Sequence, residues 1–255
     1  EIGGLVDAFN WMLLEIKRLI KETVEKVRME SELKTAQTVQ KTLFPEPYIL
    51  DDRFCVSGFF EPASECGGDW WSYKKIDDKL FLWIGDATGH GAPAALITSA
   101  AKSAATIIEN FPSLDTSEAM GLINKAIYAT SKGTVNMTLF LGCLDLRTNE
   151  LEYVIAGHEP PFIFPNFERL QKKDLWVLDN SGPRLGERWD AKFVKHKVKL
   201  DTGTRILLYT DGLTDLRGPG GAYLGEGRLI REVIKLVNEH RDIAKCTSEL
   251  NLKLK

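Results

Sequence analysis

The sequence predicts an α+β layered domain, antiparallel sheets with helices packed on them, preceded by an N-terminal coiled-coil helix. Three observations predict it. A regular apolar series runs through residues 2–27, short β-rich segments follow in hairpin pairs, and three stretches of helical period accompany them.

With 255 residues, 44% hydrophobic and 27% charged, the chain suits one globular domain of ordinary core size plus an extension, not several domains. A formal net charge of −3 excludes the basic footprint of a nucleic-acid binder and a polybasic membrane patch. Cys55, Cys66, Cys143 and Cys246 are too scattered for a zinc site or a disulfide framework, and read as reduced thiols of a cytosolic protein. No apolar run approaches the ~20 residues of a membrane span. The N-terminus also lacks the apolar core of a signal peptide, so the chain as given reads as soluble.

Taken in order, the first element is a helix whose apolar residues recur at Ile2, Val6, Phe9, Leu13, Ile16, Ile20 and Val27, with Thr23 the polar member of the series. Alternating spacings of four and three make a coiled-coil seam, and the charged flanks Glu15, Lys17, Lys21, Glu22 and Lys26 favour pairing between two chains over docking on the chain's own domain. The series fails at Glu30 and Lys34. A new stripe, Leu33, Ala36, Val39 or Gln40, and Leu43, takes over before Pro45 and Pro47 end the helix, marking a candidate joint between stalk and domain.

Beyond the prolines, segments 54–60, 70–76, 79–84, 138–146, 151–155, 162–164, 176–178, 194–200 and 205–210 are short, rich in β-formers and bounded by turn residues. Helical periods cover 92–111, 117–130 and 227–240, with Pro93 placed where a helix start tolerates its missing N–H, and residues 242–255 again run helical. Segments 70–84 and 138–155 read as hairpins, which argues against a doubly wound parallel sheet.

Two aspartates follow glycine on either side of an apolar run, in GGDWW and GDATGHG. If Asp77 and Asp78 form a two-residue turn, Ile76 pairs with Lys79, and stepping outward sets Asp69 opposite Asp86. A β-bulge would shift that register by one, so the expectation is proximity. Like charges opposed on a buried ladder repel, and call for a cation between them. Asp211, in LLYTDGLTD, is a third aspartate at a strand end before glycine. Carboxylates without nearby His or Cys suit Mg²⁺ or Mn²⁺ and fit zinc poorly. The plainer reading of each, taken alone, is a turn residue beside a glycine. Gly67, Gly68 and Gly85 fit both readings, because glycine also lets backbone approach a metal or a phosphate.

FEPASECGGDWW, LFLWIGDATGHGAPAAL, TLFLGCLDLRTNELEYVIAGHEPP, GPRLG and LLYTDGLTD, in that order, resemble the motifs of metal-dependent serine/threonine phosphatases of the PPM (protein phosphatase 2C-like) type, in the bacterial branch named after sporulation protein E. The resemblance runs from about residue 33 to 234 and implies an α-β-β-α sandwich. The first residues, EIGGLVDAFNWMLLEI, resemble the last helix of a HAMP signalling module, and ELKTAQTVQKTLFPEP resembles the regulatory helix that leads into these phosphatase domains. This divides the chain into a HAMP-like coiled-coil signalling helix over 1–30, a regulatory linker helix over 31–47, and a phosphatase domain over 48–255. The implied activity is hydrolysis of phosphoserine or phosphothreonine in a protein by water activated at two Mn²⁺ or Mg²⁺ ions. Asp86 would bridge the ions, Asp69 and the Ala87 carbonyl would hold one, and Asp211 the other. The family's second ion usually takes a further aspartate from a final strand, which the sequence to Lys255 is expected to lack. The phosphatase resemblance also implies a phosphorylated anti-anti-sigma-type substrate, the HAMP-like start implies a cytoplasmic location below a membrane-anchored receptor, and the apolar seam predicts a homodimer through the N-terminal helix.

His90 is not carried over as a general acid, because the animal members place their histidine where this chain has Thr88. His158, in AGHEPP, reads as a residue that orders a loop, and residues 217–227, lacking the lysine of a P-loop, read as a flap. GGDWW also departs from the GG[DE]EF signature of a diguanylate cyclase, tryptophans replacing its acidic and aromatic pair. The alternative from another class is a non-catalytic dimeric scaffold with a degenerate phosphatase domain.

Overall fold

The computed structural model describes residues 2–62, 66–218 and 221–254, without the side chains of residues 2 and 5–8. The seam positions Ile2 and Val6, residues 63–65 of the first motif, 219 and 220 of the expected flap, and Lys255 therefore lie outside the described residues or side chains.

One helix, α1 (Ile2–Lys41), runs without a break through the expected joint. Pairs at i,i+4 such as Lys21–Glu25, Lys26–Glu30 and Arg28–Glu32 line its surface, each contributing only a few tenths of a kcal/mol. The seam residues Phe9, Leu13, Ile16, Ile20 and Val27 are exposed in the single chain. Contact with the domain begins at Leu33 and Ala36 and tightens at Gln40, which is buried. Of the two residues that share a place in the second stripe, Gln40 turns inward and Val39 stays out.

The domain follows in the order β1 (Tyr48–Leu50), β2 (Cys55–Ser57), β3 (Asp69–Ile76), β4 (Lys79–Ala87), α2 (Ala92–Ile108), α3 (Thr116–Ser131), β5 (Met137–Asp145), β6 (Glu150–Ala156), β7 (Phe162–Phe164), β8 (Trp176–Val177), β9 (Ser181–Gly182), β10 (His196–Lys199), β11 (Arg205–Leu207), α4 (Asp211–Thr214), α5 (Glu226–Glu239) and α6 (Ile243–Leu254). β1 and β2 form a separate hairpin. The main sheet is ordered β10-β6-β5-β4-β3 and antiparallel, with β9 a short parallel addition to β6; the second sheet is β11-β7-β8.

Alternation along the strands explains the layering. On β5, Met137, Leu139 and Leu141 join Ile97 and Ala101 of α2 and Ile123 of α3 on the outer face. Phe140 points the other way, joining Ile155, Ile163 and Leu200 between the sheets. Behind the second sheet, Phe162 and Tyr209 pack with Leu229 and Leu236 of α5 and Leu250 of α6. The result is the α-β-β-α sandwich that was expected.

Differences from the sequence expectation are local. The expected strands 54–60 and 205–210 shorten to Cys55–Ser57 and Arg205–Leu207, while Tyr48–Leu50, Ser181–Gly182 and the short helix α4 arise where none was expected. Thr210 ends the extended run because it takes the N-cap position of α4, directly before Asp211.

Candidate metal centre

The β3–β4 hairpin has the register that the two-residue turn implies: Ile76 pairs with Lys79 and Asp69 with Asp86. Asp77 adopts a φ of 52°, a left-handed conformation that aspartate tolerates, so the turn closes without a bulge. Asp86 in turn pairs with Thr138 of β5. Residues directly opposite on a ladder share a face, which for this row is the inter-sheet face at one end of the main sheet.

Gly68 sets the closeness of this corner. The Ala87 N–H donates to the Gly68 carbonyl at 3.1 Å. A Cβ on Gly68 would overlap the Ala87 carbonyl oxygen and come within 2.6 Å of Asp86 Oδ1. The loop is held from the other side by Gln40, whose Nε2 donates to the Gly67 carbonyl at 2.6 Å and whose Oε1 accepts from the Gly67 N–H at 3.1 Å. Asp211 arrives from the second sheet, where α4 carries Gly212 so close that a Cβ there would lie 3.5 Å from Asp69 Oδ2.

Electrostatics in this corner are unfavourable without a cation. Burial pushes the Asp86 carboxyl up to about 7, and the charges of Asp69 and Asp211 add to the rise. Asp69 is raised to about 6, again by burial, with Asp211 adding and the Thr210 hydroxyl opposing. Its Oδ1 is buried with no hydrogen-bond partner. Hard oxygen donors, an orphaned carboxylate oxygen of Asp69 among them, fit Mg²⁺ or Mn²⁺.

Among the described residues, only Glu239, His240 and Glu249 bring three ligand atoms within 4.8 Å of one another, at the α5–α6 junction, where His240 Nε2 pairs with Glu249 at 2.8 Å. The carboxylate oxygens of Asp69, Asp86 and Asp211 do not all come that close to one another.

The neighbouring histidines separate cleanly. His158 is buried, its Nδ1 lies 2.9 Å from Thr138 Oγ1, and burial lowers its pKa to about 4, so it is neutral and orders the loop after β6. Thr138 Oγ1 also accepts from the Asp86 N–H at 3.3 Å. His90 is exposed in the turn beyond the site. In the expected flap, Arg217 pairs with Tyr223, its guanidinium 5.0 Å over the ring and hydrogen-bonded to the hydroxyl at 2.9 Å. Asp215 is exposed.

Sequence reasoning missed Gln40, Thr138 and Thr210. Thr138 was reachable by carrying the register one strand further; Gln40 carried one signal, a polar residue at a stripe position.

A family model described as Stage II sporulation protein E (SpoIIE) matches residues 76–250. The chain is 30% identical to Protein IcfG of Synechocystis sp. (strain ATCC 27184 / PCC 6803 / Kazusa) over 90% of its own length and 40% of that protein. It is 25% identical to the phosphoserine phosphatase RsbU of Bacillus subtilis (strain 168), over 83% of this chain and 60% of RsbU. The chain thus spans less than two thirds of these relatives. Among solved structures, the SiaA-PP2C domain of Pseudomonas aeruginosa superposes with a TM-score of 0.72 at 21% identity, covering 90% of both chains. The catalytic domain of the serine/threonine protein phosphatase PstP, in complex with two manganese ions, shares the fold at a TM-score of 0.53 and 16% identity, over 76% of this chain and 86% of that one.

Proposed function

The chain belongs to the Stage II sporulation protein E (SpoIIE) family, and from that premise we propose that it is a metal-dependent protein serine/threonine phosphatase acting on a phosphorylated regulatory protein of the anti-anti-sigma type. The observation that carries the reading is the opposition of Asp69 and Asp86 on one ladder, with Asp211 delivered from the second sheet. Asp69, Asp86 and the Ala87 carbonyl would hold one divalent ion and Asp211, with Asp86, a second. Two such ions would supply an acidified water and neutralise phosphoryl charge.

The chain's own residues supply the rest. Gly68 leaves the corner open, since any side chain there would occupy the space between Asp86 and the Ala87 carbonyl. Thr138 fixes the Asp86 backbone and is braced by neutral His158. Gln40 ties the end of α1 to the Gly67–Asp69 loop, so a change in the helix has a direct route to Asp69. On this reading residues 1–30 are a HAMP-like dimerising segment, 31–47 a regulatory linker helix and 48–255 the phosphatase domain, under an N-terminal sensor. The exposed apolar series of α1 supports dimerisation. No described helix is long and apolar enough to cross a membrane.

The test is release of phosphate from a phosphoserine protein by the purified protein with Mn²⁺, with chelator, and in Asp86→Asn. Turnover that needs Mn²⁺ and falls by orders of magnitude in the variant is expected. Absence of Mn²⁺-dependent turnover in the full protein would leave the non-catalytic dimeric scaffold in its place.

A further inference from the structure

Carrying the cross-strand row one step beyond Thr138 reaches a charged residue outside the metal centre. Leu185 forms an antiparallel bridge with Met137, donating its N–H to the Met137 carbonyl at 2.8 Å and accepting from the Met137 N–H at 2.9 Å. Antiparallel register then sets Arg184 opposite Thr138, as Thr138 is opposite Asp86 and Asp86 opposite Asp69. Leu185 is fully buried in the layer beneath α2 and α3, so its neighbour Arg184 belongs to the other face, the face of the two aspartates. The stem of Arg184 crosses Gly157, where a Cβ would lie 2.7 Å from Arg184 Cγ. Gly157 has a φ of 65°. A side chain at 157 would therefore displace the arginine.

Arg184 is exposed, and no ion pair or hydrogen bond holds its side chain among the described residues. Among the described residues, the charges that shift Asp69 and Asp86 are those of neighbouring aspartates, with no lysine or arginine offsetting them. Register places Arg184 two strand spacings, roughly 10 Å, from Asp86, where an anionic substrate on this row would meet its charge. That separation leaves room for a phosphoryl group between them, and the planar fork of arginine matches phosphate oxygens.

Resting on the proposed phosphatase reading, we propose that Arg184 is a substrate-binding residue that engages the phosphate of the phosphoserine substrate from the side of the row opposite Asp69. It recognises the phosphate monoester anion itself, and so also binds inorganic phosphate.

The test compares wild type with Arg184→Met, which keeps the stem over Gly157, and Arg184→Lys, which keeps the charge. With a phosphoserine peptide, Arg184→Met should raise KM about ten- to hundredfold with kcat nearly unchanged, and weaken inhibition by inorganic phosphate by the same factor. Arg184→Lys should recover part of both, and calorimetric Mn²⁺ affinity should match wild type in all three proteins. An unchanged KM with an unchanged phosphate inhibition constant would overturn the assignment, as would a parallel loss of kcat and Mn²⁺ affinity. Calorimetric titration of inorganic phosphate into the Mn²⁺-loaded proteins reads the same contact without turnover. Should wild type fail to hydrolyse the peptide, the phosphatase reading fails, while that titration still decides for or against Arg184.

Discussion

Gln40 and Gly67 hold each other by two hydrogen bonds, side-chain amide to backbone amide, across 27 residues of sequence. The pair joins the last turn of α1 to the loop that delivers Asp69, and Trp70 Nε1 adds a bond of 3.3 Å to the Leu43 carbonyl.

Gln40→Met preserves volume and removes both bonds, leaving a Gly67 N–H and carbonyl without partners. Each unsatisfied buried group costs about 1–3 kcal/mol. The variant should lose stability of that order in urea denaturation and bind Mn²⁺ several-fold more weakly by calorimetry. Wild-type values in both measurements would show that the end of α1 does not position the metal loop.

Gly68→Ala should abolish Mn²⁺ binding while leaving the fold measurable by circular dichroism, because its methyl would occupy the space beside Asp86 Oδ1 and the Ala87 carbonyl. Gly121 is the control. It lies inside α3 with nothing within 4 Å of an added Cβ, so Gly121→Ala should stabilise the protein by about 0.5–1 kcal/mol and leave Mn²⁺ binding unchanged. Equal Mn²⁺ affinity in Gly68→Ala and wild type would remove the close corner from the metal argument.

The legible part of this molecule was what repeats over short distances. Asp77–Asp78 dictated a turn, the turn dictated the register, and the register opposed Asp69 to Asp86. What escaped depends on tertiary context. The run to Thr210 is as apolar as a strand, yet it stops at Leu207 because Thr210 and Asp211 open a helix. β9 is two residues long and exists only because β6 offers an edge. Gln40 and Val39 share a stripe position, and only the packed domain decides that the polar one goes inward, where Gly67 satisfies it.

Stability without metal should fall as pH rises. Unfolded, Asp69 and Asp86 titrate near 4; folded, they stand at about 6 and about 7 because of burial first, with the charge of Asp211 raising both and that of Asp69 raising Asp86. The folded state therefore retains protons that the unfolded state releases. The stabilisation is complete below about pH 4 and is lost as pH passes through 6 to 7. In chelator, the urea midpoint of wild type should drop between pH 4.5 and 7.5, Asp86→Asn should flatten that drop, and Mn²⁺ should restore the midpoint most at pH 7.5. Identical pH slopes for wild type and Asp86→Asn would contradict the assignment of these shifts.

The proposed dimerisation through α1 rests on the apolar residues it leaves in water. Phe9, Leu13, Ile16, Ile20 and Val27 are each at least 40% exposed, a continuous stripe that a second copy of the helix would cover. The four-and-three spacing of these positions suits knobs-into-holes packing, and the flanking Glu–Lys and Glu–Arg pairs keep the other faces soluble. Ile16→Glu with Ile20→Glu places two charges per helix in the seam. Burying such a side chain contributes about 1.5–3 kcal/mol, so four lost positions in the dimer should raise its dissociation constant by at least about a thousandfold. Light scattering should show a dimer for wild type and a monomer both for this variant and for a chain beginning at Glu30. Peptide turnover by the variant should also separate the roles of the helix. Retained activity in the monomer would make the pairing regulatory, and loss of activity with intact Mn²⁺ affinity would make it part of substrate engagement. A dimer of undiminished affinity in both altered proteins would move the interface to the face of α1 between Glu32 and Lys41, or onto the domain itself.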